Sequence, residues 1–346
     1  MNNNIIYTSI ISLIIFLILI YLSKYKSILI EQPSSIVRKI HKKNMIKVGG
    51  FMYLSIYLVL FENISQEILL IIYFAIPFMI LGFLADTIDN FRASSRLVLM
   101  IIITTIYLLV SQNYILSLDM NVLDRLIQNY IFLPYALTLL SIIFFVVGVN
   151  TIDGLHGLKT GIILIILSNF IYYIGQSKIN SYEILYLLIT VTIILFIINF
   201  VTGVIRSGDT GSYFTGFVIG SLSINLNSEN VLNAFHIAII VGYPVIELVF
   251  SYARRVYSGS SPFQPDSLHL HSLVFKYLCK YIRSFQNKTE VCNRIATIVI
   301  LCFISFFNLV AFVSNKETFV YLSILIIYIF SYLIFYRLVY KKVNLN

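Results

Sequence analysis

Residues 131–159 read IFLPYALTLLSIIFFVVGVNTIDGLHGLK. The first nineteen positions carry no charge, and a helix crosses a bilayer in about 20 apolar residues. The run is continuous, without the two-residue alternation of a barrel strand, so it reads as a membrane helix. It breaks at Asn150-Thr151-Ile152-Asp153-Gly154-Leu155-His156-Gly157-Leu158-Lys159, before another apolar run at 160–174. A tight turn is one reading of that loop, although a turn needs no such mixture of residues. The other is a nucleotide or phosphate cradle, because glycines expose backbone N–H groups to an anion.

The same pattern extends over all 346 residues. The chain is 59% hydrophobic and 11% charged, with mean hydropathy +0.91, against about 25% charged in a soluble domain. Eleven stretches are expected to span: 5–22, 48–61, 68–84, 97–110, 131–149, 160–174, 184–200, 212–224, 231–252, 295–313 and 318–336. The expected fold is an all-α integral membrane protein of about 11 transmembrane helices, one polytopic domain over 1–346. Met1-Asn2-Asn3-Asn4 lacks a basic n-region and no cleavage site follows, so the first stretch reads as a retained span. Cys279, Cys292 and Cys302 show neither metal nor disulfide spacing. Trp is absent, leaving 25 Tyr for the interfacial belt.

The charges orient the spans. With the N-terminus outside and the C-terminus cytoplasmic, 21 of the 24 Lys and Arg fall on cytoplasmic segments, and only Arg125, Lys178 and Lys316 fall outside. The cytoplasmic loops are then about 23–47, 85–96, 150–159, 201–211 and 253–294, and the active site is expected to be built from them. The net charge of +9 is spread over separate loops. It reads as topology and headgroup contact, and excludes nucleic acid as a partner. The outer loops look short or bland.

Each cytoplasmic loop carries candidates. The first holds Arg38-Lys39-Ile40-His41-Lys42-Lys43 and ends in Gly49-Gly50, a topology-setting patch or a funnel for a polyanion. In the second, Asp86 and Asp89 are three apart and would share a helix face. They mark a helix end meeting water, or a pair that binds Mg²⁺ or orients a phosphate nucleophile. In the fourth, Arg206-Ser207-Gly208-Asp209-Thr210-Gly211-Ser212 offers Asp209 as a helix cap, or as a Mg²⁺ carboxylate with phosphate at the helix N-terminus. In the fifth, an irregular run through Ser261, Pro262, Phe263 and Asp266 leads to His269 and His271. The stripe Leu270, Leu273, Val274, Tyr277, Leu278, Tyr281 and Ile282 then predicts an amphipathic helix lying in the membrane interface.

Together these loops resemble the polyprenyl-phosphate N-acetylhexosamine-1-phosphate transferases, the MraY/WecA superfamily. The family's Asp-Asp-x-x-Asp aligns with Ala85 to Asp89, its Asn-x-x-Asp-Gly-x-Asp-Gly-Leu with Asn150 to Leu158, its Gly-Asp-x-Gly-Ser with Gly208 to Ser212, and its Ser-Pro-Phe-x-Pro-Asp-x-x-His-x-His with Ser261 to His271. Ala85 and His156 stand where the family has acids, and Ser272 replaces a third His.

The resemblance implies transfer of a sugar-1-phosphate, GlcNAc-1-phosphate first, from a UDP-sugar to undecaprenyl phosphate. UMP is released and surface-polysaccharide synthesis is primed. It implies Mg²⁺, with Mn²⁺ as alternative, held by Asp209 and assisted by Asp153. Asp86, Asp89, Asp153, Asp209, His269 and His271 would be catalytic, Asp86 positioning or deprotonating the lipid phosphate and the two His neutralising pyrophosphate charge. His41, Lys47, Asn150, Gly154, Arg206, Ser261, Pro262, Phe263 and Asp266 would bind substrate, with sugar selection around Ser258–Asp266. The partners implied are the UDP-sugar, undecaprenyl phosphate, the lipid bilayer and, as a homodimer, a second copy. The location implied is the bacterial cytoplasmic membrane. The competing readings are a transporter or an inactive scaffold of the same fold. A transporter would place ionisable residues mid-span, and here only Glu247 does so.

Overall fold

The computed structural model describes residues 2–26, 29–31, 45–59, 65–88, 90–130, 132–176, 183–261, 266–281 and 289–344. His41, Asp89, Pro262, Phe263 and Ile282 lie outside these residues. Helix α1 (Asn2–Lys26) precedes an antiparallel pair, β1 (Ile30–Glu31) and β2 (Met45–Ile46), and a 3-10 turn (Gly49–Tyr53) running into α2 (Leu54–Val59). Then come α3 (Gln66–Thr87), α4 (Ala93–Ser111), α5 (Asn121–Asn129), α6 (Phe132–Thr151), α7 (Leu158–Gln176) and α8 (Glu183–Thr202). They are followed by α9 (Gly208–Ser228), α10 (Ala234–Ile240), α11 (Gly242–Tyr257), α12 (Leu270–Tyr281), α13 (Thr289–Val313) and α14 (Thr318–Asn344).

Among the described residues, eight helices are long and apolar enough to cross a membrane: α1, α3, α4, α6, α7, α8, α13 and α14. The chain is a multi-pass helical membrane protein. The other three expected spans take different forms. The described part of 48–61 is the 3-10 turn and the short α2. The stretch 231–252 is the pair α10 and α11, bent by 78°. The bend falls at Val241, which leaves helical geometry, with Pro244 in the turn beyond it. Counted as one span, that pair gives nine.

The third is α9, whose residues Thr210–Leu226 are all buried. It is the pillar on which α3 and α6 pack. In lipid there is no hydrophobic drive between helices, so close packing has to supply the cohesion, and small residues permit it. A Cβ on Gly82 of α3 would lie 2.5 Å from the Asp209 carbonyl oxygen, and one on Gly216 would lie 2.7 Å from the Val146 Cα. Two hydroxyls of α9 are satisfied within the helix: Thr215 donates to the Gly211 carbonyl at 2.7 Å and Ser223 to Ile219 at 2.8 Å. Phe217 stacks on Phe78 of α3 with centroids 4.5 Å apart and meets Tyr107 of α4 edge-on at 5.1 Å. Each such pair adds about 0.5–1.5 kcal/mol.

The contacts sort the helix ends onto two faces. The ends of α3, α6 and α8 meet the starts of α4, α7, α9 and α13 on one. On the other, Asn113 beyond α4 bonds Asn225 of α9, and Asn233 before α10 bonds Asp119 and Thr318. The loops that the charge count assigned to one side therefore do come together. The stretch 111–130 is less bland than expected. It contains α5, entered through a turn in which the Asp124 carboxylate accepts from the Leu118 and Met120 N–H groups at 2.7 and 3.0 Å. Helix α12 forms as its stripe predicts, but it buries Leu270, Leu273, Val274 and Leu278 against α13 and α14. Its apolar face is covered by protein.

Candidate active site

Three acids arrive at one mouth from the ends of α3, α6 and α9. Asp86 is the last-but-one residue of α3, and its side chain is fully buried. Its Oδ2 accepts both the N–H and the hydroxyl of Thr210 at 3.0 Å, and its Oδ1 faces Lys47 Nζ at 3.4 Å. Helix α3 ends at Thr87 with Ile88 extended, and Asp89, with which Asp86 was expected to share a helix face, lies outside the described residues.

Asp209 is not the cap of α9. Ser207 holds the N-cap position, and it is Asp86, reaching over from α3, that takes the Thr210 amide. This amide of the first turn is therefore not open to a phosphate. Gly208 makes the arrangement fit: it has φ +67°, and a Cβ there would lie 2.5 Å from Asp86 Oδ2. Asp209 Oδ2 accepts from Arg96 Nη1 at 2.8 Å and from the Tyr213 hydroxyl at 3.4 Å, while Arg96 also donates to that hydroxyl at 3.1 Å. Burial, then the neighbouring Asp86, push the Asp209 carboxyl above the usual carboxylate range, against the opposing pull of Arg96 and Lys47.

Asp153 stands between two cations, Lys159 Nζ at 3.1 Å and Arg206 Nη2 at 3.7 Å. Its loop is pinned by two asparagines. Asn293 of α13 accepts the His156 N–H at 2.7 Å, and Asn199 of α8 accepts the Gly157 N–H. His156 itself is buried against Gly203, with its carbonyl taken by Thr297 at 2.9 Å. Its backbone is held from α13, and its ring lies just past the end of α8. Ala85 is half-buried against the core.

The two histidines stack in parallel with centroids 5.4 Å apart. His269 Nδ1 meets Glu247 Oε1 at 3.0 Å, and the Leu270 N–H donates to the same oxygen at 3.1 Å. His271 is buried with its Nδ1 unpartnered, and its ring lies on Gly154, where a Cβ would sit 2.4 Å from Nε2. Burial first, and then His269, push His271 down to about 4. The ring is therefore neutral at neutral pH.

The remaining candidates divide. Arg206 and Lys47 belong to the acid cluster, and their backbones are tied together: the Arg206 N–H donates to the Ile46 carbonyl and the Gly49 N–H to the Arg206 carbonyl, both at 2.9 Å. A Cβ on Gly50 would lie 2.3 Å from the Gly211 nitrogen, so the glycine pair serves close approach to α9. Asn150 lies in the last turn of α6, and its backbone carbonyl accepts the Asp153 N–H at 3.3 Å. Asp266 accepts from Arg254, from Ser251 at 3.3 Å and from the Leu268 N–H at 2.9 Å. Burial alone would raise its pKa, but His269, the Leu268 N–H and Arg254 together hold it below the usual carboxylate range. It braces the approach to His269. Ser261 is exposed. Sequence reasoning passed over Arg96 and Lys159, counted only for topology, and Glu247, counted only as a mid-span acid.

Among the described residues, no three His, Cys, Asp or Glu side chains group closely enough to hold a metal ion by themselves. A hard cation of the Mg²⁺ kind takes one or two carboxylates and completes its shell with water and substrate phosphate. Asp209 and Asp86 fit that demand: one has its pKa raised by burial and its neighbour, and the other keeps Oδ1 buried without a hydrogen bond.

The structure is that of a helical membrane protein whose helix ends gather alternating acids and bases at one mouth. Residues 68–227 match the model of glycosyl transferase family 4. The chain is 28% identical over 313 residues to a probable undecaprenyl-phosphate N-acetylglucosaminyl 1-phosphate transferase of Bacillus subtilis (strain 168), covering 87% of this chain and 81% of that protein. It is 26% identical over 317 residues to the undecaprenyl-phosphate alpha-N-acetylglucosaminyl 1-phosphate transferase of Thermotoga maritima, covering 90% and 91%. It is 27% identical over 267 residues to the phospho-N-acetylmuramoyl-pentapeptide-transferase of Staphylococcus saprophyticus, covering 71% and 81%. The family model and these relatives support the polyprenyl-phosphate hexosamine-1-phosphate transferase superfamily as what this chain is similar to.

Proposed function

We propose that the chain transfers an N-acetylhexosamine-1-phosphate, GlcNAc-1-phosphate first, from a UDP-sugar to undecaprenyl phosphate, releasing UMP and priming a surface polysaccharide. The observation that carries this reading is the alternation of charge at one mouth: Lys47 with Asp86, Arg96 with Asp209, and Lys159 and Arg206 with Asp153. Two anions have to meet in this reaction. An oxygen of the lipid phosphate bonds to the sugar-bearing phosphorus, and the pyrophosphate bridge breaks, its electron pair leaving on UMP. Such a transfer is mainly positioning and charge stabilisation.

The residues divide that work. A phosphate monoester loses its second proton near pH ~6, so the lipid phosphate attacks without a base. Asp86, with Oδ2 committed to Thr210 and Oδ1 facing Lys47, is therefore a positioning residue that sets the first turn of α9 and Asp209 with it. Asp209 is the Mg²⁺ carboxylate, with Mn²⁺ as substitute. The bound ion supplies positive charge to the pyrophosphate. Lys47 and Arg206 draw in the anions. His269, oriented by Glu247, and neutral His271 hydrogen-bond phosphate oxygens. The mouth faces the cytoplasm, where UDP-sugars are found, in a bacterial cytoplasmic membrane with the N-terminus outside.

Purified protein given undecaprenyl phosphate, Mg²⁺ and a panel of UDP-sugars is expected to release UMP with one donor. Folded protein that releases none with any donor rejects the transferase reading in favour of a transporter or scaffold.

A further inference from the structure

The buried ammonium of Lys159 is the feature of this mouth that the reaction above leaves unused. Lys159 lies in the first turn of α7 and is 2% exposed. Its Nζ reaches Asp153 Oδ2 at 3.1 Å, Ser212 Oγ at 2.8 Å and Ser207 Oγ. Three donors meet three acceptors, and they come from both sides of the mouth. Asp153 belongs to the loop after α6, and Ser207 and Ser212 belong to the start of α9. Ser212 passes the chain on, donating to the Gly208 carbonyl at 2.9 Å, one residue from Asp209. A buried ammonium is tolerated only when paired and hydrogen-bonded throughout, and this one is.

The consequence lies with Asp153. One oxygen carries the Lys159 ammonium and the other faces Arg206. Two positive groups around one carboxylate oppose the approach of a divalent cation. Asp209 differs: among the described residues it is ion-paired only with Arg96, and against the pull of Arg96 and the more distant Lys47 stand burial and the neighbouring Asp86 and Asp153.

We propose that Lys159 is a resident cation of the site, which reserves Asp153 as a strut between α6 and α9 and keeps it out of the metal's ligand set. Lys159 is in this sense a positioning residue, and its charge decides which of the two acids takes the ion. The inference rests on the reading of Asp209 as the metal carboxylate.

The test is Mn²⁺ binding to the detergent-purified full chain, followed by electron paramagnetic resonance without substrates, so that turnover is not needed. The wild type and Asp153→Asn should bind Mn²⁺ with dissociation constants within about twofold of each other, and Asp209→Asn should weaken binding by about tenfold or more. Lys159→Gln keeps at most two of the three donors and removes the charge. It should add a second Mn²⁺ ion that Lys159→Arg and the double variant Lys159→Gln/Asp153→Asn do not bind. The double variant also removes the charge that either single change deprives of its Lys159–Asp153 partner, and so keeps the comparison open if a single variant unfolds. Weaker Mn²⁺ binding in Asp153→Asn or in the folded double variant, with no extra ion in Lys159→Gln, overturns the proposal. If Asp209→Asn binds Mn²⁺ as the wild type does, the metal reading of Asp209 fails instead.

Discussion

At the scale of single residues, the site is a set of acids distinguished by their partners. Asp209→Asn should lower UMP release by about 100-fold or more, the order expected when a charge-stabilising group is lost, with an unchanged melting temperature because Asp209 closes no helix cap. Asp86→Asn should cost stability as well, about 1–3 kcal/mol, since it weakens a buried acceptor of two hydrogen bonds beside Lys47. A thermal melt alongside the assay separates the two. His271 gives a pH signature. Its folded value is about 4 against an ordinary 6.5, so in that window the unfolded chain binds a proton that the folded chain refuses. Stability should therefore fall as pH drops through the window, by up to ~1.4 kcal/mol per unit. Melts of His271→Gln should show a flatter fall, and an identical pH profile would mean that His271 is not held neutral. Asp86, Asp153, Asp209 and the two histidines were legible because local motifs carry them. Their partners were not. Arg96 meets Asp209 across 113 positions and Lys159 meets Ser207 across 48, and no local spacing encodes such pairs.

At the scale of elements, α9 departs most from its sequence reading. Continuous apolar runs mark the eight crossing helices directly, because lipid demands them. Helix α9 is rich in Gly, Ser and Thr, and its place in the core follows from what packs on it. The same contact makes Gly82 a sensitive position. Gly82→Ala would drive a Cβ to 2.5 Å from the Asp209 carbonyl oxygen, and backbone cannot yield as a side chain can. It should destabilise by about 1–3 kcal/mol, the range for overpacking, and lower UMP release together with the melting temperature. Normal activity at normal stability would mean that α3 does not fix Asp209. The periodicity of α12 identified its apolar face correctly but not what covers it, since a stripe of Leu and Val reads alike against lipid or protein.

For the whole molecule, the charge count drew the loops at 85–96, 150–159 and 201–211 to one side, and the structure joins them there. Which side of the membrane that is follows only from the Lys and Arg bias. A cysteine at Lys341 should be labelled by an impermeant thiol reagent from the cytoplasmic face only, and one at Lys316 from the outer face only. The reverse pattern would place the mouth away from the UDP-sugar pool. The central claim is that this mouth joins a lipid phosphate to a sugar-bearing phosphate. Its most direct measurement is the product balance of purified protein with undecaprenyl phosphate, Mg²⁺ and UDP-GlcNAc. The account predicts one lipid-linked sugar-phosphate for each UMP released, and neither product from an equally folded Asp209→Asn variant. UMP without the lipid product, or full turnover by that variant, would contradict it.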